Sequence, residues 1–214
     1  MDQSILKDIY SKRCQLALTA LKANGFKAVY VDNSREALDK VMALIPKEAK
    51  VGIGGSVTVR EIGLVEVLEK QGHTIFAHWG KSLELKEKLE MRKKALTSDV
   101  YLTSSNAITL KGQLLNIDGT GNRVAAMIFG PKKVIIIAGA NKLVDTLDDA
   151  FARIRNITSP FNAKRLNFKT PCALTGKCND CDSPDRMCNI TVILEKRPKL
   201  SDITIVLVGE ALGH

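Results

Sequence analysis

The chain has 214 residues, enough to bury a substantial core, and its 45% hydrophobic and 26% charged residues are ordinary for a folded α/β protein, which argues against disorder. The formal net charge is +9, but the basic residues are scattered and only 5% of residues are aromatic, which disfavours nucleic acid as a partner. The apolar stretch 134–140 is too short to cross a bilayer, and charges interrupt residues 1–24 where a signal peptide needs an apolar core, so we expect a cytoplasmic protein without a membrane span.

Hydrophobic periodicity predicts strands that alternate with helices along the chain. The continuous apolar run 134–138 is typical of a strand buried on both faces, as parallel sheets require. The alternation therefore predicts an α/β fold with a mainly parallel sheet and helices on both faces. The predicted strands span residues 27–31, 50–53, 73–77, 100–104, 134–138, 190–194 and 203–208, and the predicted helices span residues 1–24, 34–44, 59–71, 82–96 and 145–156, with a short helix or turn before Met127.

A glycine-rich loop joins a predicted strand to a predicted helix at Gly52–Thr58. Glycines let a ligand approach the backbone closely, and a helix that starts nearby points free N–H groups at an anion. The loop matches neither the dinucleotide fingerprint nor the lysine-bearing phosphate loop of nucleotide-binding proteins. We predict that it binds a phosphate or carboxylate through Gly54, Gly55, Ser56 and Thr58, the alternative being a tight structural turn.

A second polar loop, Asn116–Arg123, places an acid, an amide and a guanidinium around two glycines. Asp118 is a candidate catalytic acid or base, and Asn122 and Arg123 are candidate ligand contacts. The alternative is a β-turn in which Asp118 and Asn122 bond to their own backbone, as these residue types often do.

Other polar residues follow predicted strands at their carboxyl ends, the edge at which open α/β sheets bind ligands. Ser105 and Asn106 follow one strand, and Asn141 and Lys142 follow another. We therefore expect the four loops to meet at one rim and bind a small anionic metabolite. Lys142 is the second candidate for acid–base catalysis, the alternative being a solvated lysine. No catalytic role is predicted for the three histidines, His73, His78 and His214.

Four of the five cysteines lie within residues 172–188, inside a turn-rich segment, 160–189, that we predict to be an insert in the domain. Four thiolates in a reducing compartment match the ligands of an iron–sulfur cluster, such as a 4Fe–4S cluster, or of a structural zinc ion. The spacing does not decide between these, and thiols or disulfides without metal are the third possibility. The candidate ligands are Cys172, Cys178, Cys181 and Cys188, whereas Cys14 is predicted to be a buried hydrophobic residue.

Several ordered motifs together resemble the LUD (lactate-utilisation, DUF162-type) domain family over about residues 1–210. These motifs are Gly52–Gly63, Ser105–Thr109, Asn116–Ala126, Phe129–Pro131 and Gly139–Lys142. The resemblance implies one LUD-type domain over residues 1–214, with a fold similar to the ribose-phosphate isomerase, glucosamine-phosphate deaminase and CoA-transferase group. The cysteine segment resembles that of a longer branch of the family.

The resemblance also implies a function. Members of the lactate-utilisation branch act with iron–sulfur oxidoreductase subunits that oxidise lactate to pyruvate, so such subunits are the expected partners, and a homo-oligomer is compatible with this. One alternative is a non-catalytic ligand-binding or assembly subunit with a zinc-stabilised lobe. Another is a sugar-phosphate or CoA-dependent enzyme of the same fold, although Gly121 stands where the sugar-phosphate isomerases carry a second acid.

Overall fold

The protein was analysed as a computed structural model that describes residues 2–79 and 83–214. Its main feature is a six-stranded sheet in the order β1-β10-β7-β4-β2-β3, in which all neighbouring strands are parallel. This confirms the predicted α/β architecture. The six strands are β1 Lys27–Val31, β2 Val51–Ile53, β3 Ile75–Phe76, β4 Val100–Thr103, β7 Lys133–Gly139 and β10 Asp202–Val208.

Helices cover both faces of this sheet because its central strands are apolar on both sides. In β7, Ile136 packs into the core beneath one layer of helices, while Ile135 and Ile137 pack into the core beneath the other. The first layer contains α1 (Gln3–Ala23), α5 (Leu85–Leu96) and α6 (Asn122–Ile128), and the second contains α2 (Ser34–Met42), α3 (Val57–Glu61) and α4 (Leu64–Lys70).

The helix predicted over residues 59–71 is in fact two helices, α3 and α4. Gly63 separates them with φ of +73°, a left-handed conformation that ends one helix and begins the next. The predicted helix 82–96 begins later, at Leu85, with a reciprocal cap between Glu84 and Glu87. Residue 82 lies outside the described residues.

A second, four-stranded sheet in the order β8-β5-β6-β9 was not predicted. It is mixed: β5 and β6 form an antiparallel hairpin, β6 and β9 are antiparallel, and β5 and β8 are parallel. Two of its strands contain only two or three residues, too few for a periodic signal. The helix α7 (Leu147–Arg153) packs on this sheet. Its strands are β5 Ala107–Thr109, β6 Leu114–Asp118, β8 Leu143–Val144 and β9 Ile190–Leu194.

The cysteine-bearing segment contains more regular structure than its sequence suggests. A π-helical turn, Ile154–Thr158, connects α7 to α8 (Ser159–Arg165), and α9 (Pro171–Thr175) carries the first cysteine of the group. Residues 176–189 then form turns without helix or strand. Within residues 2–79 and 83–214, no helix combines the length and apolarity that a membrane crossing requires.

Candidate functional site

Parallel strands bring several loops together at the carboxyl edge of the main sheet. The segments that follow β2, β3, β4 and β7 all reach this edge, and the loop after β6 joins them from the second sheet. They line a cavity of about 800 Å³. Nine of the predicted site residues line it: Gly55, Ser56, Thr58, Ser105, Asn106, Asp118, Asn122, Arg123 and Lys142.

Lys142 lies in the wall of this cavity with only 3% of its surface exposed. Its Nζ donates hydrogen bonds to Thr58 Oγ1 at 2.8 Å and to Ser104 Oγ at 2.7 Å. Across residues 2–79 and 83–214, no ion pair joins it to a carboxylate. Burial, reinforced by the charges of Arg153 and Arg123, lowers the pKa of Lys142 to about 7. An amine with this pKa exchanges protons at neutral pH.

Arg123 organises the polar wall of the cavity. A guanidinium has five N–H donors, and the side chain of Arg123 contacts five oxygen acceptors of the protein, so its role in this arrangement is to position other groups. Arg123 would therefore act on a bound ligand mainly through its positive charge. The acceptors are Asp118 Oδ2 (3.0 Å), Asn116 Oδ1 (2.7 Å), Asn106 Oδ1 (3.0 Å), the Ile117 carbonyl (2.8 Å) and the Ser104 carbonyl (3.4 Å).

Asp118 holds its own loop in shape as well as pairing with Arg123. Its Oδ1 accepts hydrogen bonds from the backbone N–H groups of Thr120 (3.1 Å) and Gly121 (2.7 Å). This is the local turn bonding that was the alternative explanation for the loop. Gly121 has φ of +89°, a left-handed conformation in which an L side chain is strained, so the position disfavours an acid.

Two predicted ligand contacts are not among the residues that line the cavity. A Cβ on Gly54 would lie 2.8 Å from Tyr101 Oη, so the glycine permits close packing beneath the loop. Asn141 holds the segment after β10 in place by two hydrogen bonds. Its Oδ1 accepts a hydrogen bond from the Leu212 N–H at 3.1 Å, and its Nδ2 donates one to the Gly213 carbonyl at 3.4 Å. Both residues therefore make contacts within the protein that do not involve the cavity lining.

The histidines His78 and His214, for which no role was predicted, both lie in the cavity wall. Burial and neighbouring cations lower the pKa of each to about 4, so both rings are neutral at pH 7 and can donate or accept one hydrogen bond per nitrogen. The single tryptophan, Trp79, lines the cavity beside His78, and Arg60 lies over its ring. The position of His78 just after a strand of the parallel sheet was the signal that could have identified it.

The cavity wall is strongly cationic. Seven Lys or Arg side chains line it against two carboxylates, Asp118 and Asp185, and the Asp118 carboxylate is already paired with Arg123. Arg123 and Arg186 are ion-paired, with Asp118 and Asp180, but the surplus of positive charge in the wall favours a negatively charged occupant. The cationic residues are Arg60, Lys88, Arg92, Arg123, Lys142, Arg165 and Arg186.

The four predicted metal ligands, Cys172, Cys178, Cys181 and Cys188, line a second, much smaller cavity of about 30 Å³. All four are free thiols, so they form no disulfide. Within the described part of the chain, no three His, Cys, Asp or Glu side chains converge closely enough to hold a metal ion. Four thiols around one small cavity have the chemistry of a thiolate-bound metal site, but they would have to move together to complete its coordination.

The two cavities share part of their walls, because Arg186 and Met187 line both. The thiol segment also contacts the Asp118 loop directly. The Asn189 backbone N–H donates to the Asp118 carbonyl at 3.0 Å, and the Asn189 side chain donates to the Gly119 carbonyl at 3.1 Å. A change in the thiol segment would therefore reach the polar loop of the larger cavity.

The fold and site together define an α/β protein with a cationic cavity at the carboxyl edge of a parallel sheet. The LUD domain family model matches residues 14–208, and the chain belongs to this family. The structure is similar to the crystal structure of a DUF162 family protein from Deinococcus radiodurans, with a TM-score of 0.53, 10% identity and coverage of 93% of this chain and 98% of that one. At this identity the similarity supports the fold alone. No curated protein matches the sequence.

Proposed function

We propose that this LUD domain protein binds a small anionic metabolite in the cationic cavity and acts on it through Lys142. The observation that carries the proposal is the wall itself, with seven basic side chains and two carboxylates. The neutral histidines and the hydroxyls of Ser56 and Thr58 add uncharged hydrogen-bonding groups. The basic side chains would attract an anion, and the uncharged groups would orient it by hydrogen bonds.

The division of labour within the site follows from the hydrogen bonds. Asp118 accepts three hydrogen bonds from Arg123 and two backbone N–H groups, which favours a role in holding the loop over a role in proton transfer. Lys142 has two hydroxyl partners and one further donor, so it can face a ligand and exchange a proton with it. Of the two predicted catalytic residues, Lys142 is therefore the better supported.

Membership of the LUD family supports a place in lactate utilisation, beside iron–sulfur oxidoreductase subunits that oxidise lactate to pyruvate. In this proposal Cys172, Cys178, Cys181 and Cys188 would hold the metal group. An iron–sulfur cluster there would supply one-electron transfer, whereas zinc would supply folding energy to a segment with few apolar contacts. The shared wall between the two cavities supports a link between this segment and the bound metabolite.

The size of the cavity favours a second candidate. A three-carbon acid would leave most of about 800 Å³ unfilled, and this volume lies within the range of pockets for much larger ligands. A sugar phosphate or a CoA ester would use more of the space and more of the basic groups. The second candidate is thus an enzyme for one of these substrate classes on the same scaffold.

The proposal can be tested by thermal unfolding of the purified protein with lactate, pyruvate, sugar phosphates and CoA esters at constant ionic strength. We expect an anion of one of these classes to raise the melting temperature of the wild type. The rise should be much smaller for Arg92→Gln, which removes a charge from the cavity wall, and unchanged for Lys12→Gln, whose ion pair with Asp8 is exposed far from it. A panel without any stabilising anion would contradict the proposal.

A separate measurement distinguishes an enzyme from a non-catalytic binding or assembly subunit. Ligand binding and turnover would be compared for wild type and Lys142→Met under anaerobic conditions with partner subunits present. Loss of turnover with retained binding supports catalysis by this chain. Equal turnover by both proteins would instead support a non-catalytic binding or assembly subunit.

A further inference from the structure

Lys142 has the surroundings of a nucleophilic amine. Both side chains that accept its hydrogen bonds are neutral hydroxyls, those of Thr58 and Ser104, and the described residues offer it no carboxylate partner within ion-pair distance. A lysine is activated as a nucleophile when it is desolvated or lies near another cation. Both conditions hold, because the side chain is 3% exposed and the charges of Arg153 and Arg123 act on it.

We infer that Lys142 forms a covalent imine with a carbonyl compound that carries a carboxylate or phosphate group. This inference rests on the proposed function, since it names the substrate class of the same cavity. The carbonyl is required by the amine, and the acidic group is required by the cationic wall. A 2-oxo acid and a phosphorylated ketose are the two kinds of compound that combine these features.

The step balances without an oxidant or reductant. The nitrogen lone pair of Lys142 forms a bond to the carbonyl carbon, and the π electrons of the C=O bond move to oxygen. The nitrogen gives up its two protons to that oxygen, which leaves as water when the C=N bond forms. The hydroxyls of Thr58 and Ser104 lie 2.8 and 2.7 Å from Nζ and can relay these protons from nitrogen to oxygen.

The neighbouring groups suit this chemistry. Arg123 and Arg153, from α6 and α7, disfavour protonation of the amine, and Glu61 from α3 opposes them. The neutral ring of His214 lies in the same wall, and its own pKa is lowered in part by Lys142. Burial of the amine is the largest of these influences on the pKa of Lys142. The free amine is therefore available at a pH at which exposed lysines are protonated.

Reductive trapping tests the inference. The full chain would be incubated with sodium cyanoborohydride and either pyruvate or dihydroxyacetone phosphate, so that the two arms distinguish a carboxylate-bearing from a phosphate-bearing carbonyl. We expect one adduct per chain, located at Lys142 by peptide mass spectrometry, with a mass gain equal to the carbonyl compound less one oxygen atom. Lactate, which has an alcohol in place of the carbonyl, should give none.

Two comparisons keep the test decisive. Lys88 also lines the cavity and serves as a control within the same molecule, where labelling should be at least tenfold slower. Lys142→Arg should abolish the adduct, and if this variant fails to fold, the pH profile of wild-type labelling provides the same information, with a midpoint near pH 7 expected.

The outcomes also distinguish this inference from the proposed function. Adducts spread evenly over exposed lysines, or no adduct at Lys142 while pyruvate or dihydroxyacetone phosphate binds the cavity, would overturn the inference and leave anion binding intact. If neither probe binds and neither reacts, the inference fails as well, and the thermal unfolding panel then decides whether any anion occupies the cavity.

Discussion

Lys142 Nζ donates a hydrogen bond to Thr58 Oγ1 at 2.8 Å, joining two residues that are 84 positions apart in the chain. Thr58 follows the glycine loop after β2, and Lys142 follows β7, two strands away in the sheet. The contact exists because parallel strands deliver their carboxyl ends to one edge. It links the predicted anion loop to the predicted catalytic lysine in a single wall.

The buried amine predicts a specific dependence of stability on pH. Because the folded state lowers the pKa of Lys142 from 10.5 to about 7, the unfolded chain binds more protons at this residue between those values. The free energy of unfolding should then rise with pH across this window, by up to about 1.4 kcal/mol per pH unit from this residue. Below pH 7 both states are protonated and the contribution is constant.

The contribution of Lys142 can be measured by urea unfolding of wild type and Lys142→Met at pH 7 and pH 9. The difference between the two proteins isolates it, because thiols and tyrosines that titrate in the same range contribute equally to both. We expect the methionine variant to be the more stable of the two at pH 7 and to lose about 2 kcal/mol of that advantage by pH 9. Identical pH slopes for the two proteins would show that Lys142 is protonated in the folded state.

The hydrogen bonds of Arg123 predict that even a substitution that keeps its charge lowers the stability of the protein. Arg123→Lys replaces five directed donors with a compact ammonium, leaving several buried acceptors without partners. The free energy of unfolding should fall by about 2 kcal/mol. The matched control is Arg13→Lys, whose pair with Asp145 is partly exposed, and there the change should stay below about 1 kcal/mol. Equal losses in the two variants would contradict the organising role of Arg123.

The two glycines after β2 should respond differently to alanine. A Cβ on Gly54 would lie 2.8 Å from Tyr101 Oη and 3.2 Å from Thr103 Oγ1, so Gly54→Ala should lower the free energy of unfolding by about 1–3 kcal/mol. A Cβ on Gly55 would meet its nearest neighbour, His78, at 3.9 Å, so Gly55→Ala should leave stability unchanged. Because Gly55 lines the cavity, that variant should weaken ligand binding, as a titration would measure.

The four thiols predict a metal dependence that the fifth cysteine should not share. After anaerobic purification or reconstitution with iron and sulfide, or with zinc, the wild type should retain metal, and Cys178→Ser should retain much less. Cys14→Ala is the control, since Cys14 is fully buried in the core of the main sheet and its pKa is raised to about 11 by burial. Metal-free wild type under all these conditions would contradict a metal role for the segment.

The sequence predicted the central strands β7 and β10 well because each has seven residues and a largely apolar run that reflects burial on both faces. Nine of the eleven residues predicted for this site line the cavity, because the carboxyl-edge rule needs only strand positions and polar residues after them. The second sheet escaped prediction because β5 and β8 contain three and two residues and depend on pairing with distant segments. His78 was missed because histidine ligands are recognised in sequence by their spacing to other ligands, whereas the signal at His78 is its position just after β3.

The local sequence also could not predict which polar residues face the cavity and which bond to other parts of the protein. Asn141 and Lys142 are adjacent, yet one fastens the segment after β10 and the other faces the cavity. Likewise, Arg123 was predicted to contact an anion, but in the structure it donates to five acceptors of the protein. Two of these are Asn106 and Asn116, which only the fold brings within reach of Arg123. Such assignments require the tertiary contacts.

The most direct test of anion binding in the cavity uses Trp79, the single tryptophan of the chain, which lies in its wall. Its fluorescence would be followed during titration with lactate, pyruvate, dihydroxyacetone phosphate and a CoA ester at constant ionic strength, in wild type and Arg92→Gln. A saturable change with one of these anions, shifted to higher concentration in the variant, is the predicted result. Fluorescence that does not respond to any of them, or a response that Arg92→Gln leaves unchanged, would contradict the account.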